Sequence, residues 1–182
     1  RIPPAKWARI DGRPIIFLYE AAFAKKQDPQ RQFAYVKERF REDFGIEPFI
    51  VKSAGWQGEA DAVYSWGGAV SGPLIFRDTV SLGPGYDHSA VPGRQPLVVE
   101  RRDGRTYIDR WTKVLQLDPK ARPWMVHVET WNEWHEGTDI AASREYGRQY
   151  IDLNRKFADR FKAGIKPTRP RGPYSDVRAV TT

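Results

Sequence analysis

Four residues of the stretch Glu133-Trp134-His135-Glu136 carry two carboxylates, an imidazole and an indole, and Trp131 and Asn132 precede them. Such a mixture is poor core material, because each buried polar group would need a partner of its own. It suits a cleft that holds something polar with flat apolar faces, such as a sugar. Glu133 and Glu136 are three positions apart. On a helical turn that spacing places side chains on one face, with Cβ atoms about 5–6 Å apart. Retaining glycosidases hold their two carboxyl groups about 5–5.5 Å apart. Neighbouring carboxylates also push their pKa values apart, which suits one to acid and the other to base chemistry. Spacing alone is weak evidence, since exposed helix faces carry many such pairs. The flanking tryptophans and the preceding alternation of Val126, His127, Val128 and Glu129, a strand pattern, make the case stronger.

A second polar cluster follows another apolar run. Thr79-Val80-Ser81-Leu82 leads into Gly83-Pro84-Gly85-Tyr86-Asp87-His88, and then come Arg101-Arg102-Asp103-Gly104 and Tyr107. Together with 131–140, these residues resemble the Asn-Glu-Trp-His-Glu-Gly and Gly-Pro-Gly-Tyr-Asp signatures of glycoside hydrolase family 99, the endo-α-mannosidase and endo-α-mannanase group. The resemblance runs from about Trp7 to Phe161. Where the family often continues Ile-Glu-Pro, this chain has Ile140-Ala141-Ala142.

The resemblance implies a glycoside hydrolase that cuts within a glycan. Glu136 would then protonate the leaving oxygen. Glu133 would act as base on the sugar's own 2-hydroxyl, through a 1,2-anhydro intermediate. Glu20, Trp66, Tyr86, Asp87, Glu129, Asn132, Trp134 and His135 are the expected substrate contacts. No cofactor or metal is expected. A glycosidase reading points to a secreted or periplasmic location.

The elements that must position these residues alternate. Pro14–Tyr19, Pro48–Ser53, 62–66, 79–82 and 125–128 read as strands, separated by helices or helix-length connections. That order predicts α/β architecture with a parallel sheet. Asp11-Gly12 predicts a tight turn. Asp28-Pro29 and Gly45 should bound a helix whose stripe is Phe33, Val36, Phe40 and Phe44. Thr106 and Ser143 read as caps of two more helices, the latter carrying Tyr146, Tyr150, Leu153, Phe157 and Phe161. The candidate residues fall at C-terminal strand ends, where a (β/α)8 barrel keeps its active site. Five strands are too few for eight. The expectation is therefore the C-terminal portion of such a barrel in residues 1–163, followed by an extended Pro/Arg-rich tail in 164–182. The missing N-terminal part, or another chain, is expected to cover the open edges.

Composition bounds the alternatives. Aromatics make up 13% and there are seven tryptophans, suitable for stacking on sugars and equally for a core. With no cysteine, disulfides, thiolate metal sites and a Cys nucleophile are excluded. No apolar run reaches the length of a membrane span. The net charge of +7 is scattered apart from the basic tail, which argues for a solvated surface and against nucleic acid. Three rivals stay open: a metal site from His127, Glu129 and His135; a non-catalytic carbohydrate-binding or structural barrel fragment; and a polyanion binder using Arg101, Arg102, Arg105 and the tail.

Overall fold

Strand β1 (Arg9–Ile10) turns into β2 (Arg13–Leu18) through Asp11 and Gly12, both at positive φ (50° and 75°), as the predicted tight hairpin requires. In this computed structural model, residues 2–19, 28–77 and 79–164 are described. Glu20 and 165–182, hence nearly all of the expected tail, lie outside them. The chain divides into two compact units, one within Arg1–Tyr64 and one within Ser65–Arg169.

In the first unit, β2 pairs in parallel with β3 (Phe49–Ser53), and β3 with β4 (Ala62–Tyr64). Every residue of β3 is buried, Lys52 and Ser53 included, whereas the near-continuous apolar run of β2, expected to be buried on both faces, is only partly so. Helix α1 (Pro29–Phe44) begins where Asp28 accepts from Arg31 N–H, with Pro29 in the first turn, and ends at the left-handed Gly45. Its stripe is only partly a core: Phe33 is 3% exposed and Phe44 47%. Phe33 packs with Ile50 and Ala60, whereas Phe44 meets Trp7 edge-on at 4.9 Å and Phe40 at 5.2 Å between ring centroids. The Arg13 guanidinium grips Asp61 with two bonds of 2.8 Å, and Asp61 also takes the Ile50 N–H.

The second unit is built on β5 (Leu74–Phe76), β6 (Thr79–Leu82) and β9 (Met125–Val128), in that order. β6 and β9 are parallel, with Ser81 opposite His127 and Leu82 opposite Val128. The short helix α2 (Gly68–Ser71) leads into β5, an antiparallel edge strand that the apolar run Leu74-Ile75-Phe76 encodes and that strand counting overlooked. β7 (Tyr86–Asp87) and β8 (Val98–Val99) make a separate two-stranded hairpin.

Helices α3 (Arg105–Gln116) and α4 (Gln149–Gly164) pack on the sheet. Trp111 stacks on Phe157 at 5.8 Å, and Tyr107 donates to Asn154 Oδ1 at 2.9 Å. Burial raises the Tyr107 phenol well above its ordinary value. Both expected caps are corrected. Gly104 precedes α3, while Thr106 donates to the Glu100 carbonyl at 2.6 Å. Ser143 Oγ accepts from Tyr146 N–H, but Gly147 at φ 54° closes a turn there, and the helix starts only at Gln149. Buried Arg110 ties α3 to the carbonyls of Ala69 and Gly83, at 2.7 and 2.8 Å. Among the described residues, no helix is long and apolar enough to cross a membrane. The architecture is mixed α/β, with five strands in parallel pairings and antiparallel β1 and β5 beside them.

Candidate functional site

After β9 the chain leaves the sheet in a loop pinched at its base. Thr130 N–H donates to Thr138 O at 2.9 Å, Ile140 N–H returns to Thr130 O at 3.1 Å, and the two threonine hydroxyls bond at 2.9 Å. These bonds hold 131–137 out as a projecting arch. Its crest is a 3₁₀ turn, Trp134–Glu136, capped by Gly137 at φ 55°. Glu133 is the residue before the turn, and its N–H bonds Thr130 Oγ1 at 3.1 Å. The expected helical turn is thus a tighter one, set by the threonine pinch.

The two carboxylates meet different partners. Glu133 Oε1 lies 3.8 Å from His135 Nδ1, both well exposed. Glu136 Oε1 lies 2.6 Å from Arg94 Nη1, on the loop between β7 and β8. Arg94 is held above its ordinary value, first by this hydrogen bond. Tyr86 stands beside the same carboxylate: burial first, and then the Glu136 charge, raise its phenol. His88 Nε2 faces the Gln95 carbonyl at 2.6 Å, and a carbonyl only accepts. Nε2 therefore carries a proton, and Nδ1 lies 2.8 Å from the Tyr86 hydroxyl. Asp87 accepts from Ser89 N–H and Oγ–H, at 2.8 and 2.6 Å, and these bonds hold it below its ordinary value.

Trp131 and Trp134 are 59% and 49% exposed, open enough for stacking. Asn132 is exposed on the same arch, and its backbone carbonyl takes the Trp134 N–H. Trp66 is half-exposed and lies 5.6 Å from the His127 ring. Glu129, expected at the site surface, is 1% exposed. Its oxygens accept from Gly67 N–H and Ala69 N–H, each at 3.0 Å. A Cβ on Gly68 would come within 2.4 Å of the Ser81 backbone, so only glycine lets this loop close over the carboxylate. Burial raises Glu129, against the lowering effect of these N–H groups. The peptide from Glu129 to Thr130 is cis. Burial pushes neighbouring His127 down to about 4.

Glu20 lies outside the described residues. The proposed metal triad is not assembled: His127 pairs with Glu129 at 3.9 Å and His135 with Glu133, and no group of three metal-ligating side chains occurs among the described residues. Of the arginines in the polyanion reading, Arg101 is engaged inside the fold and Arg102 stays half-exposed. Arg101 is buried and bonds Asp139 Oδ1 at 2.7 Å and Gly137 O at 2.9 Å, while Arg102 bonds Asp109 at 2.8 Å. Arg101 also lies 4.5 Å from the ring centres of both Tyr146 and Tyr150, clamping the chain just after Glu136. Arg94 is the contact that sequence reasoning missed. A lone basic residue between Gly93 and Gln95 carries no periodic or motif signal.

Two solved structures share this fold. Both are of the GH99 endo-α-mannosidase from Bacteroides thetaiotaomicron, one in complex with BIS-TRIS-propane. The complex is 18% identical with a TM-score of 0.60, covering 86% of this chain and 60% of that one. The other is 17% identical with a TM-score of 0.58, covering 86% of this chain and 57% of that one. The chain therefore spans about 60% of the length of these neighbours, and the likeness is one of fold. A comparison with curated proteins finds no match. A family model matches residues 1–169, and the chain belongs to that family, described as Domain of unknown function (DUF5010).

Proposed function

We propose that this chain is the C-terminal portion of a (β/α)8 barrel, residues 1–163 with a tail at 164–182, and that it serves glycosidic bond hydrolysis in a glycan. The observation that carries the reading is one 3₁₀ turn with Glu133 just before it and Glu136 as its last residue, beside exposed Trp131 and Trp134, in a fold shared with an endo-α-mannosidase. Glu136 acts as acid on the leaving oxygen and Glu133 as base on the neighbouring hydroxyl. Trp131 and Trp134 stack on sugar faces. Trp66, Tyr86, Asp87, Asn132 and His135 contribute the remaining contacts, with Glu20 and Glu129 as further candidates. The rest of the barrel comes from an N-terminal part or another chain.

The Arg94 contact favours a second reading, a carbohydrate-binding fragment without turnover, because the guanidinium occupies Glu136 Oε1. One experiment decides. The protein is assayed by reducing-end release on a panel of neutral polysaccharides, α-mannan included. Glu133→Gln and Glu136→Gln are each expected to lose about 10²–10⁴ in rate with an unchanged melting midpoint. Binding without turnover by the unmodified chain would establish the second reading.

A further inference from the structure

The β7–β8 hairpin, residues 100–103 and the stretch 134–146 bound a cleft of about 790 Å³, within the range of ligand sites. Trp134 and His135 form one wall, so the cleft shares the turn that joins Glu133 to Glu136, yet neither carboxylate lines it. Tyr86, Trp134 and Tyr146 supply aromatic surface. Burial pushes the Tyr146 phenol up to about 12, so it stays protonated and able to donate.

The charge of the lining is lopsided. Asp87, Glu100, Asp103, Asp139 and Glu145 line the cleft, against Arg101 and Arg102. Arg101 is engaged with Asp139 and the Gly137 carbonyl, and half-exposed Arg102 with Asp109 and Thr106; Asp87 and Asp103 accept from Ser89 and Gln149, and Glu100 and Glu145 add two exposed carboxylates, so the acids still outnumber the bases. An entering ligand therefore meets carboxylate oxygens and aromatic faces. Carboxylates accept strongly from hydroxyls and repel anions.

We propose that this cleft is a subsite for an uncharged sugar unit and that it rejects uronic or sulfated units. The proposal rests on the carbohydrate reading above and adds its substrate class. The chain's net charge of +7 would favour an acidic glycan, but the local lining has the opposite sign and acts at contact distance.

The test is calorimetric titration of the full chain with mannotetraose and cellotetraose as neutral probes and tetragalacturonate as the acidic one. At least one neutral probe is expected to bind ten or more times tighter than tetragalacturonate. The double variant Glu100→Gln/Glu145→Gln, at two exposed positions, should weaken that binding about tenfold and narrow the gap. Tighter binding of tetragalacturonate, no binding of either neutral probe, or an unchanged Kd in the double variant would each overturn the proposal. Hydrolysis is read in parallel. Neutral binding without cleavage supports the subsite and removes the hydrolase reading; cleavage with an unchanged Kd in the double variant does the reverse.

Discussion

Arg94 Nη1 lies 2.6 Å from Glu136 Oε1, joining the β7–β8 loop to the turn that carries both candidate catalytic carboxylates. In the acid role proposed for Glu136, the guanidinium competes with a leaving group for this carboxyl. Exposed ion pairs are weak, and displacement should cost little. Arg94→Gln is expected to raise kcat/KM about two- to fivefold on a cleaved glycan. A tenfold fall in steady-state kinetics would instead place Arg94 among the groups that hold substrate.

Arg101 and Asp139 form a buried pair, their side chains 9% and 6% exposed. Burial raises Asp139, and Arg101 opposes that rise. Arg101→Met strands a buried carboxylate and should destabilise the chain by about 3–5 kcal/mol in urea unfolding. Adding Asp139→Asn should recover part of the loss. The sign with pH follows. In the single variant the folded carboxyl binds a proton more readily than the unfolded one, so stability falls as pH rises through that window. A stability loss equal at pH 4 and pH 7 would contradict the stranded-charge account.

Glu129 closes the Gly67–Ala69 loop with both of its oxygens. Glutamine presents one amide nitrogen, a donor, where backbone donors already point. Glu129→Gln should therefore cost about 1–3 kcal/mol of stability. Unchanged unfolding with tenfold weaker glycan binding would show that it meets substrate directly.

His127 gives the fold an acid limit. Its side chain is 17% exposed and its pKa is depressed to about 4. Between about 6.5 and 4 the unfolded chain takes a proton that the folded chain refuses, so stability falls with acidification across that window. The loss amounts to about 3 kcal/mol. Raised Glu129 contributes the opposite slope, so the comparison is with His127→Gln, which should flatten the acid limb of the melting profile. Parallel profiles for the two proteins would rule out this role.

Periodicity and turn chemistry were enough for much of the fold. Phe49–Ser53 reads as a strand and lies between two parallel neighbours; Asp11-Gly12 makes the turn its residue types demand; Asp28 and Gly45 bound α1. Local rules were insufficient where a second nearby group competes for the same atoms or turns the chain early. Thr106 could cap a helix, but the Glu100 carbonyl takes its hydroxyl. Tyr146 fits the stripe of α4, but Gly147 turns the chain first and leaves Tyr146 against Arg101.

By itself the sequence determined which residues crowd onto one loop after a strand, because chain neighbours stay neighbours in any fold. Trp131, Asn132, Glu133, Trp134, His135 and Glu136 are such a set. Only the tertiary structure decided what each of them faces. Arg94 is 42 residues from Glu136, and Gly67 is 62 from Glu129. Contacts at that separation depend on how β6, β9 and the hairpin are brought together, and no local pattern records it.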